Sequence, residues 1–332
     1  VITFYLMLFF KPSARLPEVF LCLFGKVKYI GPSKVTLFIW QINSQVEVFS
    51  LKGSFKLLAW TGIFCLIFVL GACGSANNKS SASAWDKIKE KGVLNVGTSG
   101  TLYGSSFHAE GSNKLTGYDV EVVREIAKRL GLKVKFKEMG IDAMLPALQS
   151  GKIDLAANDI EPTKEREKKF AFSDPYKYSY GVAIVRKKDH SGIEKLEDLK
   201  GKRAGGEAST VYSQIAKKFG AEIVTYGNAT NDVYLKDVAL GRTDVILNDY
   251  YLCKMGLSAF PNLPLEIHPN IRYNLGHSAI AMDKDNTELQ KQVNKVLGEM
   301  KKDGTLAKLG KQFYGADVSK KPNLKIREVK LD

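Results

Sequence analysis

The sequence predicts an α/β protein of two lobes, each a mostly parallel sheet flanked by helices, joined by two hinge crossings. Three observations predict it. From Val93 onward, short apolar runs alternate with segments of helical period, the pattern of a parallel sheet covered by helices. The alternation occurs as two series, separated by the charged, turn-like stretch RKKDHSG that begins at Arg186. One strand-end pattern also appears twice: Gly151, Lys152, Asp154, Asn158 and Asp159 are echoed at identical spacing by Gly241, Arg242, Asp244, Asn248 and Asp249. Two similar strand ends, each closing on Asn-Asp, predict two similar lobes that face one site.

The first 72 residues stand outside this pattern. Residues 52–73, KGSFKLLAWTGIFCLIFVLGAC, run from lysines through an apolar core to small residues, the layout of a secretory signal. The apolar run from Leu57 to Cys73 falls short of the ~20 residues that a membrane span needs. Leu70-Gly71-Ala72-Cys73 resembles a bacterial lipobox, so residues 51–72 are expected to be a lipoprotein signal peptide and Cys73 the lipid-modified anchor. A signal normally begins near the start of its chain. Residues 1–50, which open on Val1, are therefore expected to be a spurious N-terminal extension, with Val46, Val48 or Leu51 as the true start.

Without residues 1–72 the net charge falls from +14 to +9. A basic balance of this kind suits residence near anionic lipid or cell-wall polymer. It does not predict nucleic-acid binding: Lys164, Lys168, Lys169, Lys301 and Lys302 sit among acidic residues on helix surfaces instead of clustering with aromatics. Cys73 and Cys253 are the cysteines beyond the signal, so no internal disulfide framework is expected. Cys253, beside Tyr251 and Leu252, reads as a packed small hydrophobe.

Residues 73–84 are small and polar and are expected to form a flexible tether. The first lobe is expected over residues 85–184 and 279–318, and the second over 185–278. Folding begins at Trp85, with Val93 to Val96 as the first strand and a Gly/Ser/Thr loop after it. A helix follows from Tyr118 to Leu130, because Val120, Val123, Ile126, Ala127 and Leu130 share one face and Gly131 stops it. Strand Leu132 to Phe136, helix Asp142 to Gln149, strand Ile153 to Ala157, helix Thr163 to Lys169 and strand Tyr180 to Val185 complete the first series. The second comprises strand Arg203 to Gly205, helix Ser209 to Phe219, strand Glu222 to Tyr226, helix Asn231 to Leu240, strand Asp244 to Leu247 and helix Asp249 to Leu257. Pro261, Pro264 and Pro269 predict irregular chain before Ser278 to Met282, the return crossing. Helices from Thr287 to Lys301 and Leu306 to Phe313 close the fold, and the lysine-rich tail 319–332 is expected to be loose.

Several segments resemble one family in order and spacing: LTGYDVEVVREIAKRLG, LQSGKIDLAANDI, the step Thr163-Lys-Glu-Arg166, FSDPY at 172–176, Val238 to Asp249, and MKKDGTLAKL at 300–309. The chain resembles the polar amino-acid substrate-binding lipoproteins of ABC importers, which have the type II periplasmic-binding-protein fold, over about residues 85–318. Within that family EMGIDAMLPALQSGKIDLAANDI, DPYKYSYG and NATNDVYLKDVALGRTDVILNDYYL are most similar to cystine-binding members.

The resemblance implies a ligand clamp, and charge chemistry supports it. A zwitterion that enters a closed cleft loses water around both charges, so each needs a fixed partner. Arg166 matches the family's carboxylate-binding arginine and offers a bidentate fork. Asp249 matches the position that pairs with the α-ammonium, although it would equally cap the helix after it. Ser209 and Thr210 match the turn whose free N–H groups face the α-carboxylate at a helix start. Asn158, Asp159 and Glu161 match positions that contact the amino group, with Glu161 standing where the family has Ser or Thr. Tyr103 and Phe107 fall where the family places an aromatic wall, but the loop is one residue longer than the usual Tyr-x-Pro-Phe, and Ile141 replaces the usual Trp or Phe.

The expected function is therefore an extracytoplasmic, lipid-anchored, monomeric solute-binding protein. It would capture an L-amino acid, in the narrower reading cystine, and deliver it to an ABC-transporter permease. The alternative is a periplasmic-type dehydratase on the same fold, with Glu161 or Glu207 as its acid or base. Neither carboxylate has a catalytic partner evident in the sequence. His108, His190, His268 and His277 show no metal-ligand spacing, so no cofactor, metal or enzymatic activity is expected.

Overall fold

The computed structural model describes residues 83–331. The expected N-terminal extension, the signal peptide and Cys73 lie outside the described residues. Ser83 opens the fold as a capping box: its hydroxyl accepts from the Asp86 amide at 3.1 Å, and the Asp86 carboxylate accepts from the Ser83 amide. Helix α1 (Ala84–Lys91) follows and buries Trp85 and Ile88. Strand β1 (Val93–Thr98) leads to three short strands, β2 (Thr101–Leu102), β3 (Ser106–His108) and β4 (Leu115–Thr116). These lie in the stretch read from sequence as loop. They pair with one another as a small antiparallel sheet. Gly117 then turns the chain into α2 (Tyr118–Arg129) at φ 126, where a Cβ would collide with the Ser105 carbonyl.

The first lobe continues with β5 (Lys133–Glu138), α3 (Ile141–Gln149), β6 (Leu155–Ala156), α4 (Lys164–Lys169) and β7 (Phe170–Phe172). The second contains β8 (Lys177–Arg186), β9 (Arg203–Gly205), α5 (Val211–Lys218), β10 (Glu222–Val224), α6 (Asn231–Ala239), β11 (Ile246–Asp249), α7 (Tyr250–Ala259) and β12 (Leu265–Ser278). The chain returns through β13 (Ala281–Asp283) to α8 (Thr287–Lys302) and α9 (Thr305–Tyr314).

The first sheet has the order β5-β1-β6-β13-β7. Strands β5, β1 and β6 are parallel, and only the returning β13 runs against its neighbours. In the second lobe β10 and β9 pair in parallel, while β8 runs antiparallel between β11 and β12. A parallel bridge from Ala204 to Val245 joins these two ladders. Each lobe is thus a mostly parallel sheet with one reversed strand. The apolar stripe of α8 (Leu289, Val293, Val296, Leu297 and Met300) is buried in the first core with Leu94, Val96, Val123 and Ile126, as its helical spacing predicts.

Three further features differ from the sequence expectation. Tyr180 to Val185, placed at the end of the first lobe, lies in β8, a central strand of the second sheet, so the crossing comes at the start of that strand. The proline-marked stretch is mostly β12, 14 residues long. Its register shifts between Ile267 and Arg272, so Pro269 falls in a bulge where its missing N–H interrupts no ladder bond. The end of the tail, from Arg327 to Leu331, is docked. Asn274 exchanges hydrogen bonds with the Val329 backbone, the Arg327 guanidinium meets Glu197 at 2.7 Å, and Val329 and Leu331 join the second core. These two apolar side chains, with the Asn274 bonds and a parallel bridge from Tyr273 to Arg327, seat it on the β12 edge.

Candidate functional site

A cavity of about 120 Å³ is lined from both lobes. The first contributes Asn158, Asp159, Glu161 and Arg166; the second contributes Glu207 and Thr210. Parallel strands deliver most of these groups, because the loop after β6 carries Asn158, Asp159 and Glu161, the turn after β9 carries Glu207 and Thr210, and the end of β11 adds Asn248 to the same lining. This is the physical content of the repeated Asn-Asp strand end.

Arg166 lies in α4, whose first turn is capped by the Thr163 hydroxyl accepting from the Arg166 amide at 3.2 Å. Its guanidinium is nearly buried and donates to two carbonyls, Glu161 O and Ser209 O, each at 2.8 Å. Burial lowers its pKa, and Glu161 and Asp142 oppose that shift. The guanidinium bridges the lobes, and so does Ser209, whose amide donates to Asp142 at 3.1 Å. Thr210 caps α5 by accepting from the Ser213 amide at 3.1 Å. Val211 and Tyr212 follow on the cavity wall at the helix start, where amide groups have no intrahelical acceptor.

Asn158 accepts from the Ser99 amide at 2.8 Å and is thereby tied to the end of β1. Asp159 sits at φ 53, held there by its amide donating to Asp119. Its carboxylate accepts from Lys177 at 2.7 Å and from the Ser278 hydroxyl, one group on each hinge strand. Glu161 takes no ion pair or hydrogen bond to its carboxylate among the described residues. Gly276 makes room for it: a Cβ there would collide with that carboxylate. Burial first, then Asp159 and Asp249, raise Glu161 to about 7.

The structure parts Asp249 from the cavity lining. One of its oxygens accepts from the Leu252 amide at 3.0 Å as the cap of α7, and the other lies 3.0 Å from Lys177. The ammonium partner expected there is already occupied by a lysine of the protein itself. Tyr103 and Phe107 do not line the cavity either. Their rings stack at 5.6 Å and pack edge-on against Phe260 and Phe313, because the longer loop folds into the β2-β3-β4 sheet. Tyr212 and Tyr234 supply aromatic surface to the cavity instead.

Sequence reasoning passed over several groups. Lys177, with no exposed side-chain surface, pairs with both Asp159 and Asp249; a lone lysine in an apolar hinge strand was the available signal. Asp119 accepts from Ser105, Tyr176 and the Asp159 amide, and burial raises it to about 6. Asn228 and Asn231 latch the lobes: Asn228 donates to Ser99 O at 3.0 Å, and Asn231 accepts from the Tyr103 amide at 3.0 Å. Cys253 is free and lines the cavity, and burial raises its thiol well above the ordinary value.

Outside the cavity the fold gathers His190, Glu194 and His268, which no sequence spacing revealed because 78 residues separate the histidines. His190 places its two ring nitrogens 3.0 Å from Glu194 and 3.0 Å from Glu266, the geometry of a charged imidazolium between carboxylates. His268 accepts from the Asn270 amide at Nδ1, so its proton is on Nε2, the atom that faces Glu194.

A family model of bacterial extracellular solute-binding proteins, family 3, matches residues 94–316. The chain belongs to that family. The probable ABC transporter extracellular-binding protein YckB of Bacillus subtilis is 58% identical over 280 residues, which cover 83% of this chain and 98% of YckB. The L-cystine-binding protein TcyA of the same organism is 38% identical over 263 residues, covering 76% of this chain and 95% of TcyA. The crystal structure of YckB matches with a TM-score of 0.60 and 62% identity over 75% of this chain and 100% of that one. The fold is therefore the two-lobed type II periplasmic-binding-protein fold. The protein is a solute-binding protein of the amino-acid ABC-transporter type, whose role is binding for transport and not catalysis. Among the described residues no helix is long and apolar enough to cross a membrane.

Proposed function

We propose that this protein captures an L-amino acid between its lobes and hands it to an ABC permease at the extracytoplasmic face, as a monomer anchored by lipid on Cys73. One observation carries the reading: a cavity walled by both lobes brings the Arg166 fork and the unpaired Glu161 carboxylate together. Arg166, with the start of α5 at Val211 and Tyr212 just after Ser209 and Thr210, takes the α-carboxylate. Glu161, flanked by Asn158 and Asp159, takes the α-ammonium. Asp249 contributes from behind by holding Lys177 against Asp159, and the Tyr103–Phe107 stack supports the rim. Because both lobes contact one ligand, binding favours the closed form.

Cystine is the narrower proposal, supported by the likeness to TcyA. A thermal-shift screen of the amino acids plus cystine tests both levels. Ligand at about 100 times its Kd adds roughly 2.7 kcal/mol. A large shift with cystine alone supports the narrow reading, and no shift with any amino acid sinks the whole proposal.

Glu161 has a pH signature. Its folded pKa of about 7 lies above its ordinary 4.5, so the stability it contributes to the ligand-free protein is fully present below 4.5 and is lost as pH rises through about 7. An ammonium beside it favours the ionised form, so binding near pH 6 should release a proton. Calorimetry in buffers of different ionisation enthalpy would detect that release. Glu161→Gln should abolish most of it and weaken binding by about 10- to 100-fold; an unchanged proton count would show that another group takes the ammonium.

A further inference from the structure

The cavity carries more negative charge than a simple zwitterion offsets. Asp159, Glu161 and Glu207 line it, against Arg166 as the one lining cation among the described residues. Lys177, behind Asp159, is shared with Asp249 and has no charge left to give the cavity. An L-amino acid that places its carboxylate on Arg166 and its ammonium on Glu161 leaves Glu207 without a counter-charge.

Glu207 stands on the second lobe, in the turn between β9 and α5. Its carboxylate accepts from the Tyr234 hydroxyl, and the Tyr226 backbone also hydrogen-bonds to it. These partners are neutral: they aim the carboxylate without cancelling its charge. A carboxylate offers about four acceptor positions, so capacity remains for a charged donor. Tyr234 lines the same wall, its ring held 4.4 Å from that of Tyr226. A fixed carboxylate beside an aromatic ring is the chemistry that holds an alkylammonium or a guanidinium. Closing the cleft over an uncompensated carboxylate is costly, and burial already raises the Glu207 carboxyl above its ordinary value.

We propose that Glu207 and Tyr234 form a second cation subsite, so that the preferred ligand is an amino acid with another ammonium or guanidinium beyond its α-ammonium. This rests on the amino-acid reading above and deepens it. Lysine-like, arginine-like and cystine-like ligands all meet the requirement; neutral single-ammonium side chains do not. The subsite also gives Glu207 a role in recognition without any proton transfer.

The test is calorimetry of the mature protein with L-lysine, L-arginine and L-cystine against L-norleucine and L-glutamine. At least one of the first three should bind ten times more tightly than both neutral ligands. Glu207→Gln should reduce that preference at least tenfold and leave the neutral ligands' affinities within twofold. Neutral ligands that bind the wild type as tightly as the best cationic one would overturn the proposal, whatever the variant's folding. So would a Glu207→Gln effect equal for both classes, or none at all. These outcomes leave amino-acid capture standing, whereas the absence of binding by every amino acid overturns the capture reading along with the subsite.

Discussion

Lys177→Met is expected to destabilise the protein by about 3–5 kcal/mol at neutral pH, the cost of stranding buried charge when one partner of a pair is removed. Lys177 has no exposed side-chain surface, and its ammonium lies 2.7 Å from Asp159 and 3.0 Å from Asp249. It also sits 5.3 Å over the Tyr314 ring. Burial alone would lower its pKa, but Asp159 and Asp249 outweigh burial and raise it. Its contribution is therefore fully present at neutral pH and is lost only as pH rises past its raised value. Methionine fills much of the same volume and leaves Asp119, Asp159 and Asp249 crowded in low dielectric. The deficit should shrink as pH falls and these carboxylates take up protons, since burial already raises Asp119 to about 6. Urea melts at pH 7.5 and pH 5 measure both effects. A loss below 1 kcal/mol at pH 7.5, or one that does not depend on pH, would show that the cluster is not held together by this lysine.

Arg166→Ala should weaken ligand binding by at least 100-fold while shifting the melting temperature of the ligand-free protein by only a few degrees. Loss of one partner from a buried, hydrogen-bonded charge pair costs about 2–5 kcal/mol of affinity. In the ligand-free fold the guanidinium's hydrogen bonds go to two backbone carbonyls, and burial already pushes the nearby Glu161 carboxyl toward its neutral form, so removing Arg166 strands little charge. The contrast with Lys177 is the point: one cation recognises, the other supports. Affinity retained within tenfold in calorimetry would remove Arg166 from the ligand site.

Much of the frame was legible in the chain. Helices α2 and α8 follow from apolar residues three and four apart, and both strands that end in Asn-Asp deliver residues to the cleft edge. Strand β12 was not legible, because proline argues against a strand unless a bulge receives it, and bulges are set by the partner strand. The short β2-β3-β4 sheet escaped for a related reason: strands of two or three residues have too little period to read. Of the site, Arg166, Glu161, Asn158, Asp159 and Thr210 line the cavity where the sequence placed them. Asp249, Ser209, Tyr103 and Phe107 do not line it.

The sequence by itself determined the two-lobed α/β architecture and the repeated strand end, because these rest on periodicity and on residues at fixed spacing within one segment; the role expected of Arg166 came from the family resemblance together with charge chemistry. Only the tertiary structure decided which carboxylate stays available. Asp249 and Glu161 are both acids beside a cleft, and nothing local distinguishes them. Lys177, 72 residues before Asp249, reaches it through the pairing of β8 with β11 and pairs with it, while Gly276 on β12 opens space for Glu161. Charge pairing in a buried hinge depends on atoms brought within 3 Å by strand register, and register is a property of the sheet and not of any one strand.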